Sequence, residues 1–112
     1  MKKIEAIVRP SKVDEIKTAL GTLGVHGMTL IEVNGFGRQR GYREVYRGSS
    51  RDVQFVPKVK LEIMVHDESL EEILSVIITT ARTGEVGDGK ICILPIEDVI
   101  RIRTGERGNE AL

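Results

Sequence analysis

Residues 83–90 read TGEVGDGK, with glycines at Gly84, Gly87 and Gly89 and the Lys90 ammonium directly after them. Glycines this closely spaced let the backbone turn tightly and bring its N–H groups up to an anion, and the lysine adds a positive charge on a long stem. That is the chemistry of a phosphate cradle. The stretch even keeps P-loop spacing from Gly84 through Gly89 to Lys90. The next residue is Ile91, where a P-loop needs Ser or Thr to ligate magnesium. A helical pattern also precedes this loop and a strand pattern follows it, the reverse of the P-loop order. Taken alone, the loop is either a nucleotide site of another design or a flexible helix-to-strand connection.

Other chemistry is sparse. His26 lies in a turn (GVHGM) and His66 at a strand end, neither with a carboxylate pair or hydroxyl at motif spacing, so solvated or locally bonded imidazoles are expected. No Cys/His cluster suggests zinc. Cys92, the only cysteine, sits in the apolar run ICIL and reads as a buried, inert thiol in a reducing compartment. The residues point to no catalytic set, so the chain reads as not an enzyme. The stretch between Phe36 and Phe55 carries Arg38, Arg40, Arg43, Arg47 and Arg51 against Glu44 and Asp52, although the net formal charge of the chain is +0. Arginine presents five fixed donors suited to anions and carbonyl clusters, so this segment reads as a docking surface or, more plainly, as a solvated charge run.

The elements that must position these residues come as two copies of one unit. Ile4, Glu5, Val8, Val13, Glu15, Ile16 and Leu20 match Leu61, Glu62, Val65, Leu70, Glu72, Ile73 and Ile77 in order. Each copy opens with a strand-like run, IEAIV or LEIMV, and continues into an amphipathic helix. Val13, Ile16, Leu20 and Leu23 keep helical spacing in the first, with Ser11 and Asp14 in a capping-box pattern. Leu70, Ile73, Leu74, Ile77 and Ala81 do so in the second, after Asp67 or Ser69 as N-cap. A further strand follows each, MTLIEV or KICILPI. The expected fold is α+β, the ferredoxin-like split βαβ plan, in a single domain spanning 1–112. Both sheet faces are rich in Ile, Val and Leu while two helices cover one, so an apolar face is expected to be buried by oligomerisation.

Two segments lie outside the duplication. One is an insertion over about 37–55, long enough to be functional or disordered in so small a domain. The other is the tail, where VIRIR predicts a short strand with Arg101 and Arg103 on one face and fraying beyond Gly108. An RNA-recognition reading of the same strand order fails, because the strands IEAIV and KLEIMV carry no aromatic on which bases could stack. Nucleic acid is therefore not an expected partner. No apolar run reaches membrane-spanning length, and Glu5 and Arg9 interrupt any signal-peptide apolar region in MKKIEAIVRP.

With these segments in view, the chain resembles the nitrogen regulatory protein P-II family over essentially its full length. The resemblance rests on KKIEAIVRP, GMTLIEVNGFGRQRG, VYRG, PKVKLEI, ARTGEVGDGKI and IRIRTGE, in that order. It implies a cytoplasmic homotrimer that associates reversibly with the membrane through a transporter partner. It further implies a nucleotide site at each subunit boundary taking ATP or ADP, and sensing of 2-oxoglutarate with magnesium-ATP. The insertion would be the T-loop, 82–90 the phosphate-binding B-loop and about 101–108 the C-loop. Gly87, Asp88, Gly89 and Lys90 would hold phosphates, mostly through backbone amides, with Arg101 and Arg103 from the neighbouring subunit. Glu62 and Met64 would lie near the adenine, and Gly35, Phe36, Gly37 and Arg38 would line the same cleft.

The resemblance also supplies the ligand that the loop lacks. Magnesium would be bridged by the triphosphate, by 2-oxoglutarate and by the side-chain oxygen of Gln39, a reasonable hard ligand. The distal carboxylate of 2-oxoglutarate would pair with Lys58, supported by amides near Gln39, Arg40, Gly41 and Gly87. Arg47 would dock into an ammonium transporter; regulation of a soluble biosynthetic enzyme, or sensing of another small molecule, is the alternative, and weak ATP hydrolysis the third reading. The chain departs from the family at Arg51, which replaces a modifiable tyrosine, and at Ser11, which replaces a common phenylalanine. Ser49 matches a serine phosphorylated in some members, and Tyr46 remains without an equivalent role.

Overall fold

The computed structural model describes residues 1–37 and 55–112. Four strands and two helices alternate in the expected order: β1 (Lys2–Val8), α1 (Val13–Gly21), β2 (Thr29–Gly35), β3 (Val56–Val65), α2 (Leu70–Ala81) and β4 (Lys90–Pro95). The strands form one sheet in the order β2-β3-β1-β4, with every adjacent pair antiparallel. The two duplicated strands, β1 and β3, are the central pair, and their register sets Glu5 opposite Glu62. The duplication thus places its equivalent glutamates side by side.

Alternation along the central strands decides which face is covered. Ile4, Ala6 and Val8 of β1 and Val59, Leu61, Ile63 and Val65 of β3 are buried, and they pack against Ile16 and Leu20 of α1 and Ile73, Leu74, Ile77 and Ala81 of α2. The other face carries Lys3, Glu5 and Ile7 from β1 and Lys58, Lys60, Glu62 and Met64 from β3. This open face differs from the apolar surface expected from the sequence. Its centre is an ion network in which Lys3 lies 3.0 Å from Glu5 and 3.9 Å from Glu62, and Lys60 lies 3.6 Å from Glu62. The Lys3 ammonium bonded to Glu5 holds that carboxyl below its ordinary range. Apolar groups flank the network, with Ile31 and Met64 exposed.

Local expectations are corrected in several places. The capping box is not made: residues 10–12 form a 3-10 turn and Lys12 takes the N-cap position of α1, without a side-chain cap bond. Pro10 fixes the chain ahead of the helix in place of the serine. Ser69 occupies the N-cap of α2, also without a cap bond, while Asp67 binds Lys2 and the N-terminal ammonium instead. Leu23 falls beyond α1, in the following turn, packed against the core. Cys92 is exposed, because its register partner is Glu5, on the open face. The tail strand shrinks to a single bridge between Ile100 and Arg107. Beyond it the chain does not fray; residues 108–111 form a 3-10 turn that buries Ala111.

Candidate functional site

The glycine loop is built by its own aspartate. Asp88 Oδ2 accepts the backbone N–H of Thr83 at 2.8 Å and of Gly84 at 2.9 Å. Its Oδ1 accepts the Thr83 hydroxyl and, at 3.1 Å, Arg9 Nε. These donors, the Thr83 hydroxyl foremost, hold the Asp88 carboxyl far below the usual carboxylate range. Arg9, just past β1, also donates from Nη2 to the Val86 carbonyl at 3.0 Å. At the far end of the loop, Gly89 adopts φ +95°, and a Cβ there would stand 1.8 Å from the Ile7 carbonyl oxygen. Only glycine lets the loop press this close to β1.

Lys58 reaches the loop from β3, its Nζ donating to the Gly87 carbonyl. Burial, and next the nearby Arg9 guanidinium, push the Lys58 ammonium below its ordinary pKa, against an opposing pull from Asp88. Lys58 and Arg9 thus set two cations against one glycine loop, an arrangement of charge suited to an anion.

Sheet register places the remaining residues along the same face. Lys60 and Lys90 flank Ile7 across three strands, and Glu62 and Cys92 flank Glu5 in the next row. Lys58, Glu62, Met64 and Lys90 therefore share the open face, with Lys58 nearest the root of the insertion. At that root Gly35 pairs with Val56, and Phe36 and Phe55 pack edge-to-face with ring centroids 5.2 Å apart. Gly37 follows, exposed.

The residues do not all meet within this one chain. Glu62, Met64 and Arg101 line a cleft of about 700 Å³ together with Gly27, Thr29 and Leu112. Asp88, Gly89 and Lys90 line a separate, smaller groove against Ile7, Ile78 and Ile91. Arg101 is held by its own tail, Nη1 bonding Glu106 at 3.3 Å and Nη2 donating to the Leu112 carbonyl at 3.2 Å. Arg103 is exposed, and between the two arginines Ile102 is 100% exposed. Asp98 pins the base of this tail loop, accepting two donors from Arg107 and the N–H groups of Val99 and Gly108. Arg38, Gln39, Arg40, Gly41, Arg47 and Ser49 lie outside the described residues, as do Tyr46 and Arg51.

Sequence reasoning missed Arg9, Thr83 and Asp98. An arginine between a strand and a proline, in VRP, was the one available signal for Arg9. Among the described residues no group of three or more His, Cys, Asp or Glu side chains could hold a metal ion, and no helix is long and apolar enough to cross a membrane.

A family model described as nitrogen regulatory protein P-II matches residues 1–106. Over the full length of both chains, the sequence is 57% identical to a nitrogen regulatory protein P-II of Nostoc punctiforme, 51% to that of Azospirillum brasilense and 52% to that of Pasteurella multocida. Among solved structures, Arabidopsis thaliana PII bound to citrate superposes with a TM-score of 0.82 at 45% identity, covering 99% of this chain and 91% of that one. The sheet order, the glycine loop and these full-length matches agree: the chain belongs to the nitrogen regulatory protein P-II family of signal transduction proteins.

Proposed function

We propose that this protein binds ATP or ADP at its open sheet face, binds 2-oxoglutarate when magnesium-ATP is present, and controls target proteins through the insertion at 37–55. The observation that carries this reading is the meeting of Lys58 with the glycine loop at Gly87, at the root of the insertion. A cation, a loop able to hold phosphates and the segment that would touch a partner converge there. The citrate held by the Arabidopsis relative supports a carboxylate as one of the ligands.

Thr83 and Gly84 spend their amides on Asp88, so backbone contacts to phosphate fall to residues 87–90, with Asp88 contributing only its main chain. Lys90 adds its charge. Glu62 and Met64 would face the adenine, with Gly35, Phe36, Gly37 and Arg38 lining the cleft. Arg101 and Arg103 would reach the phosphates of a neighbouring subunit in a homotrimer, which fits their separation from Lys90 within one chain. The distal carboxylate of 2-oxoglutarate would pair with Lys58, whose Nζ donates to the Gly87 carbonyl, and charge-assisted bonds of this kind are roughly twice as strong as neutral ones. Arg40, Gly41 and Gly87 would add amides. Gln39 would hold magnesium, which would supply a hard cation for oxygen ligands when bound.

Regulation follows from linkage. Gln39 lies within the insertion, so holding it at the site restricts where the insertion can go and excludes a partner that needs another arrangement. That partner must weaken 2-oxoglutarate binding by the same factor, and a coupling of about 1–3 kcal/mol gives roughly 5–150-fold. An ammonium transporter engaged by Arg47 is the proposed target. Calorimetry tests the reading: 2-oxoglutarate should bind in the presence of Mg-ATP, and Lys58→Ala and Gln39→Ala should abolish that binding while ATP still binds. Absence of 2-oxoglutarate binding, or binding unchanged in both variants, would sink it.

A further inference from the structure

We infer that the side chains of Arg9 and Asp88 are positioning groups for the phosphate-binding loop, holding residues 83–88 in shape while only the Asp88 main chain would meet the ligand. The inference rests on the nucleotide reading above. Asp88 has room for about four hydrogen bonds on its two carboxylate oxygens, and four donors fill it: the Thr83 amide, the Thr83 hydroxyl, the Gly84 amide and Arg9 Nε. An ionised carboxylate so occupied has nothing to offer a phosphate but repulsion, yet it sits inside the loop that would hold one. Its role is to close residues 83, 84 and 88 into a ring.

Arg9 ties that ring to the sheet. Its Nε bonds Asp88 and its Nη2 bonds the Val86 carbonyl at 3.0 Å, so one planar fork grips two points of the loop. Its backbone is extended, at φ −65° and ψ 138°, immediately before Pro10, a conformation that the following proline enforces. The Arg9 and Asp88 side chains are 22% and 24% exposed. The brace therefore runs from the end of β1 to the middle of the loop, and the Gly87 and Gly89 end is left to face a ligand.

Asp88→Asn separates this role from direct electrostatics. If Asp88 acted only as a charge near the phosphates, removing it would tighten ATP binding. As a brace, its loss turns an amide NH₂ toward existing donors, and ATP should bind about tenfold more weakly. Arg9→Ala should lose a similar factor, and Arg9→Lys, which keeps the charge but not the fork, should recover only part of it. Inorganic triphosphate should weaken with ATP in each variant while adenosine binding stays constant. Amide hydrogen exchange at Thr83 and Gly84 should quicken in Asp88→Asn and in the milder Thr83→Val, with thermal unfolding still cooperative. Equal or tighter ATP binding by Asp88→Asn, or unchanged exchange at Thr83 and Gly84, would overturn the brace alone. A wild-type chain that binds neither ATP nor triphosphate would overturn the nucleotide reading and the brace with it.

Discussion

Gly89 shows how much of the site depends on a missing side chain. Its φ of +95° and the 1.8 Å approach that a Cβ would make to the Ile7 carbonyl act together, since an L-residue would suffer both strain and a backbone clash. Gly89→Ala should cost about 1–3 kcal/mol or more, because the atoms a Cβ would meet belong to the backbone of Ile7 and Val8 rather than to a flexible side chain. For a domain of this size that is a fall of at least several degrees in Tm, read by calorimetry or circular dichroism. The sequence marked Gly89 as a loop glycine but not which neighbour forbids a Cβ. The same limit applies to Arg9: its partners Asp88 and Val86 lie 79 and 77 positions away, and local spacing carries no trace of them. Lys58, Glu62 and Lys90 were legible through the resemblance to P-II proteins. Their shared face became visible only with the strand register.

At the scale of elements, the duplicated pattern carried nearly all the fold. Two apolar strands with a helix after each specify the central pair and the helical layer, because only one burial arrangement covers Ile4, Ala6, Leu61 and Ile63 together. What the pattern misjudged lies at ends and faces. The capping-box spelling at Ser11 and Asp14 was overridden by Pro10, which starts a 3-10 turn before the helix. Ser11→Ala should therefore change stability by less than about 0.5 kcal/mol, against roughly 1 kcal/mol for loss of a true N-cap; urea denaturation distinguishes the two. The alternating VIRIR tail read as a strand, yet Arg101 N–H bonds the Glu106 carbonyl and Gly105 N–H the Arg101 carbonyl, closing a tight turn. The glycine at position 105, with φ +76°, permits it.

At the scale of the whole molecule, the open sheet face and the outward tail loop call for a partner surface. Ile31, Met64 and Leu94 are exposed on a face crossed by the Lys3, Glu5, Lys60 and Glu62 network, and Ile102 stands fully exposed between two arginines. A homotrimer with the open faces turned inward would cover this mixture, and it would bring Arg101 and Arg103 to a neighbour's loop. Sedimentation equilibrium should then give about three times the 12.4 kDa chain mass. Cys92, exposed on one chain, should react slowly with a thiol reagent until the assembly is dissociated. A monomer with a fast-reacting Cys92 would refute that arrangement.

In the proposed function nucleotide completes the effector site: Lys58 and the Gly87 loop would hold one end of the keto acid, and binding of the other would depend on magnesium-ATP. Titrating 2-oxoglutarate by calorimetry into the protein alone, with Mg-ADP and with Mg-ATP tests it most directly. Binding is expected only with Mg-ATP, since ADP lacks the terminal phosphate that would complete the proposed magnesium site. Equal affinity in all three titrations would contradict it.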